Sequence, residues 1–156
     1  MSGDIKKENN LFSIIKSFFK NPIFLFVLGI KLVLSVFFIS SLSSKLFIPF
    51  LSYFGDNPFL NPYQHFFELG ILNAFPYPPV MLFILGLPFF IFSFINSSSS
   101  ITFLDLFLLK FPLLIADIVI LGILIYFNQK RRKLVFYLYW LSPIIIYITY
   151  VYGQLD

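Results

Sequence analysis

The chain has 156 residues, 59% of them hydrophobic, with a mean hydropathy of +0.91, a net charge of +4 and no cysteine. An ordinary soluble domain is excluded, because its apolar share lies nearer half, and a disulfide framework, a thiolate metal site and a cysteine nucleophile are excluded with it. Eight of the eleven cations fall in two groups, Lys6, Lys7, Lys16 and Lys20 and then Lys130-Arg131-Arg132-Lys133, which reads as membrane topology rather than as a nucleic-acid surface. The 24 Phe residues are better explained by genome composition than by an aromatic binding surface.

In chain order, residues 1–21 read as a cytoplasmic amphipathic N-terminus. Leu11, Phe12, Ile14, Ile15, Phe18 and Phe19 share one helical face beside Lys16 and Lys20, which fits an interfacial helix, and no small-residue cleavage site marks a signal peptide. Asn21-Pro22 opens a first span over about 22–42, long enough to cross a ~30 Å hydrocarbon core. Residues 43–102 form an outer loop. Within it Asn61 caps a helix over 61–74, with Pro62 at its first position, Gln64 reaching back, and Tyr63, Phe66, Phe67, Gly70, Ile71 and Ala74 along one apolar stripe. The segment 77–95 is apolar but carries Pro78, Pro79 and Pro88. If it crossed, the 130–133 cluster would face outward, so the charge pattern favours a juxtamembrane or re-entrant helix, although the positive-inside rule is a bias and a crossing stays open. Asn96-Ser97-Ser98 is a formal glycosylation sequon within the Ser97–Ser100 linker.

Two further spans follow, at about 103–127 and 134–151. Tyr137, Tyr139 and Trp140 are expected at the inner interface and Tyr147, Tyr150 and Tyr152 at the outer one, as aromatic belts. The fold class is therefore all-α and polytopic: about three transmembrane helices and two juxtamembrane helices in the first outer loop. The N-terminus lies in the cytoplasm and the C-terminal end at the outer face.

Ionisable residues inside a span need a partner or a role. Lys31 and Asp117 lie at matching depths, nine and ten residues from the inner ends of their spans, and are expected to form an interhelical ion pair. Lys110 shares a helical face with Asp117, ~10 Å away along the axis. It lies in the outer third of its span, where its ammonium either reaches a lipid phosphate, snorkels, or pairs with Asp105 or Glu68.

Taken in order, Gly55-Asp56, Pro76-Tyr77-Pro78-Pro79, Lys110-Phe111-Pro112-Leu113-Leu114-Ile115-Ala116-Asp117, a basic turn, and Tyr139-Trp140-Leu141-Ser142-Pro143 leading to Tyr152-Gly153-Gln154-Leu155-Asp156 resemble the N-terminal part of GT-C superfamily membrane glycosyltransferases, particularly mannosyltransferase-like members that use polyprenyl-phosphate sugars. The resemblance covers about 20–156. It implies transfer of a sugar from a polyprenyl-phosphate donor to an acceptor hydroxyl at the outer face, within the bilayer. It assigns Asp56 as the base that deprotonates the acceptor, and Tyr77, Lys110, Gln154 and Asp156 as substrate-binding, Lys110 near the donor phosphate. Asp156 is also where a divalent cation would be held. His65 and Glu68 are cavity-rim candidates. Members of that superfamily have many more spans, so the chain is expected to be a fragment that needs its C-terminal helices or a partner subunit for activity. The competing readings are a non-enzymatic small membrane protein or subunit, in which every polar residue is structural, and a transporter piece in which Lys31, Lys110 and Asp117 line a polar path.

Overall fold

A computed structural model describes residues 11–38, 40–93 and 103–152, with side chains from residue 15 onward. It is helical throughout, with no strand among the described residues. The order is α1 (Leu11–Phe18), α2 (Pro22–Phe37), α3 (Ile48–Asp56), α4 (Pro62–Glu68), α5 (Pro79–Ser93), α6 (Phe103–Phe127), α7 (Arg132–Trp140) and α8 (Pro143–Ile146), with a π-helical turn before α3 and another, Tyr147–Tyr152, after α8.

Helix α2 begins where Asn21 predicts: its side-chain oxygen accepts from the Ile23 amide at 2.9 Å, and Pro22 takes a first-turn position where no amide is needed. The helix stops sooner than expected. Phe38 is extended, and Ser40 caps a new helical run by accepting from the Ser43 amide at 3.2 Å. The expected span 22–42 is thus broken at Phe38, and residues 43–56, expected as loop, are helical together with 41–42. Pro49 would ordinarily oppose a helix here. Its ring crowds the carbonyl four residues back and it offers no amide, and the wider π turn Ser43–Phe47 directly ahead of it accommodates both defects. The core-facing residues Phe47, Phe50, Leu51 and Phe54 then follow helical spacing.

Helix α4 has the expected start, with Asn61 accepting from the Tyr63 amide at 3.0 Å, but Gln64 bonds Glu68 rather than reaching back to the cap. It ends six residues early. Gly70, at φ 75°, closes it with paired bonds from its own amide to the Phe67 carbonyl and from the Ile71 amide to the Phe66 carbonyl, the Schellman arrangement that a glycine past the last turn favours. The expected continuous span 134–151 is likewise broken. Pro143 interrupts it, and the segments Gln129–Trp140 and Pro143–Tyr152 meet at 42°.

Among the described residues, α6 alone is by itself long and apolar enough to cross a bilayer, with a mean hydropathy of 2.5; the bent pair Gln129–Trp140 and Pro143–Tyr152 qualifies only when taken together, and α2 and α5 are apolar but shorter. Helix α6 is also the spine. Its first half packs with α3, α4 and α5 in a core rich in Phe, and its second half with α1, α2 and α7 around Trp140.

In the first core, Phe50 stacks on Phe75 at 5.0 Å and meets Tyr63 and Phe66, each at 5.1 Å. Two glycines let α3 and α5 approach. A Cβ on Gly55 would sit 3.0 Å from the Phe89 carbonyl carbon and oxygen, and one on Gly86 would sit 2.6 Å from the Phe54 ring. The first obstacle is backbone and the second is a rotatable ring. Gly55→Ala should therefore lower stability by about 1–3 kcal/mol, and more than Gly86→Ala does, when both are compared by thermal unfolding of the purified protein.

Candidate functional site

The charges within the helices meet in one buried cluster. Lys31 of α2 is fully buried and its Nζ lies 2.7 Å from Asp117 Oδ2 of α6, the partner assigned by matching depth. The Tyr150 hydroxyl donates to the same oxygen at 2.9 Å. The ammonium also sits 3.5 Å from the centroid of the Trp140 ring, whose negative face attracts a desolvated cation. Trp140 is held there by stacking on Phe24 at 4.6 Å and by donating Nε1–H to the Phe24 carbonyl at 3.3 Å. Ser35 returns its hydroxyl to the Lys31 carbonyl at 2.7 Å. Asp117 Oδ1 is buried with no hydrogen-bond partner, and Tyr139 lies within electrostatic reach of the carboxylate.

Two belt assignments are corrected by this arrangement. Trp140 and Tyr150 are completely buried, because the Trp140 ring face and the Tyr150 hydroxyl serve the ion pair, whereas Tyr137, Tyr147 and Tyr152 are exposed. Sequence reasoning missed Trp140 and Tyr150 as members of the cluster. The signal that could have found them was the scarcity of partners for Asp117, which as a buried carboxylate needs more than one donor.

Lys110 joins this cluster rather than the outer surface. Only 3% of it is exposed, and its Nζ donates to the Tyr150 carbonyl at 2.7 Å and to the Phe38 carbonyl. It therefore neither snorkels nor points to the level of a lipid phosphate. Phe38 is the residue at which α2 ends, where carbonyls lack helical donors, and Lys110 supplies one.

At the other end of the molecule, Asp56 is the last residue of α3 and is exposed. His65 stacks flat on Tyr53 of the same helix, 4.0 Å apart and 5° from parallel, so α3 links these two candidates through Tyr53. Glu68 is exposed and accepts from the Gln64 side-chain amide at 2.9 Å. Tyr77, expected at the substrate cavity, packs against the aromatic core. Its ring meets Phe47 and Phe75 edge-on at 5.6 and 5.2 Å, and its carbonyl accepts from the Tyr63 hydroxyl at 2.8 Å. Burial pushes the Tyr63 phenol above its ordinary range, so it stays protonated and donating at neutral pH.

A cavity of about 200 Å³ opens among Phe50, Tyr63, Phe66, Phe67, Ile71, Leu72, Ala74 and Phe75; neither Asp56, Tyr77 nor Lys110 borders it. No three His, Cys, Asp or Glu side chains gather as a metal site among the described residues. Gln154 and Asp156 lie outside the described residues. The structure thus links Lys110 to the Lys31–Asp117 pair through Tyr150, and no bond joins it to Asp56 or His65 among those described.

Compared with known protein families, curated proteins and solved structures, the chain matches none.

Removing one partner of a buried ion pair leaves an uncompensated charge. Lys31→Met and Asp117→Leu should each destabilise the fold by about 3–5 kcal/mol, and the double variant by less than the sum, as read by denaturant unfolding of the purified chain. Lys110→Met, which frees two carbonyls without stranding a charge, should cost about 1–3 kcal/mol in the same assay.

Proposed function

We propose that this chain is a membrane-spanning module of a GT-C-type glycosyltransferase. In this reading α2, α6 and the bent α7–α8 segment cross the bilayer, and α3, α4 and α5 form the first loop on the non-cytoplasmic side. The topology is supported by the cations at 130–133, all exposed in the turn after α6 and the first residues of α7, where the positive-inside rule keeps such a cluster cytoplasmic.

The observation that carries the functional reading is the exposed Asp56 carboxylate at the end of α3, the first loop helix, where the resembling family places its base. There it would take the proton from an acceptor hydroxyl as the oxygen attacks the anomeric carbon and the bond from that carbon to the polyprenyl phosphate breaks. The Gln154 and Asp156 positions would bind substrate or a divalent cation. Lys110 is not counted among the groups that meet the donor, because its ammonium is engaged by two backbone carbonyls.

A second reading, a non-enzymatic membrane subunit, is favoured by one specific observation: Lys31, Lys110 and Asp117 all bond to groups of the protein itself. The same observation disfavours a transporter, since all three side chains are buried and engaged within the protein.

Transfer of labelled sugar from a polyprenyl-phosphate donor, assayed in membranes carrying the intact gene product, separates these readings. Asp56→Asn should lower the rate by about 100-fold or more while membrane insertion is preserved; an unchanged rate would assign the chain to the subunit reading. For topology, Phe59→Cys, at a fully exposed loop position, should react with an impermeant thiol reagent from outside, and Arg131→Cys only after the membrane is opened.

A further inference from the structure

Apart from the buried Lys31, Lys110 and Asp117, the described charges are divided between the two ends of the molecule. Asn128 ends α6 by donating its side-chain amide to the Leu124 carbonyl at 2.9 Å, and a tight turn over Gln129–Arg131 follows. Lys130, Arg131, Arg132 and Lys133 project from this turn and the start of α7, all exposed. Helix α1 lies at the same end, because Phe18 packs on Phe136 of α7 at 6.2 Å and on Phe24 at 5.6 Å. Phe136 is one helical turn beyond Arg132. The exposed Lys16 and Lys20 thereby lie at the same end as the basic turn.

Six cations thus share one end, and no described carboxylate belongs to it: Asp56, Glu68 and Asp105 are at the opposite end, on α3, α4 and the start of α6, with Lys45. Just inside the cations lies a ring of exposed apolar and aromatic side chains, Phe19, Phe127, Leu134, Tyr137 and Leu138. Such a ring seats at the boundary between headgroups and acyl chains.

We infer that this basic end is a binding surface for anionic phospholipid headgroups, with Arg131 and Arg132 each able to take a lipid phosphate through paired N–H donors and the four lysines supplying further positive charge. The inference rests on the membrane reading of the chain and not on sugar transfer.

The test uses the full purified chain in micelles containing equal amounts of phosphatidylglycerol and phosphatidylcholine, with bound lipid counted by native mass spectrometry. Wild type should retain phosphatidylglycerol preferentially, and high NaCl should erode that preference. The variant K130Q/R131Q/R132Q/K133Q should lose it by about tenfold or more, K16Q/K20Q should lose part of it, and K45Q at the opposite end should keep it. Trp140 fluorescence reports that each variant is folded. Equal retention of both lipids by wild type, a preference indifferent to salt, or an unchanged preference in the folded fourfold variant would overturn the inference. A wild-type chain that stays monodisperse without detergent would instead overturn the membrane reading.

Discussion

The hydrogen-bonded ion pair between Lys31 and Asp117 sets the terms for the rest of the structure. Neither charge is tolerable alone in so apolar a setting, so the helices carrying them, α2 and α6, must hold one register and one rotation. The demand spreads outward. Asp117 Oδ2 recruits the Tyr150 hydroxyl, Lys31 recruits the Trp140 face, and Trp140 is fixed in turn by Phe24. Four segments distant in sequence are thus tied at one point. The break at Pro143 has a place in this account, because α7 brings Trp140 to one side of the pair and the segment after the bend brings Tyr150 to another.

Helix α6 divides the molecule by what packs on each half. The aromatic core under α3, α4 and α5 is joined by ring contacts near 5 to 6 Å, whose offset and edge-on geometries add specificity to simple burial. The buried polar groups lie between this core and the one around Trp140. Lys110 belongs to this middle layer, where its ammonium donates to the carbonyl of Phe38, the residue that ends α2, and to that of Tyr150.

What could be read from the residues was governed by locality. The Asn61-Pro62 start of α4, the Asn21-Pro22 start of α2 and the whole of α6 follow from neighbours within a few residues. The pairing of Lys31 with Asp117 was also within reach, since depth along a helix is a matter of counting. The end of α2 was not, because nothing in Phe37-Phe38-Ile39 breaks a helix locally, and the carbonyl left at the break is met by Lys110, 72 residues away. Gly70 fits an apolar stripe by spacing, whereas its left-handed conformation is a property of the chain reversal and leaves no trace in that spacing. Of the candidate functional residues, Asp56 keeps the exposure its assigned role requires. For Tyr77 and Lys110, sequence neighbourhood alone cannot reveal that the ring and the ammonium turn toward the protein interior.

The meeting of Gly55 with the Phe89 backbone has a consequence for the residue beside it. Two main chains in direct contact leave no side chain between them to yield, so α3 and α5 move as one piece near this crossing. Asp56 follows Gly55 immediately, and Pro88 precedes Phe89 inside α5. The direction in which that carboxylate faces is accordingly tied to the course of a different helix, with a proline beside the contact, and a change in curvature there would re-aim the acidic group.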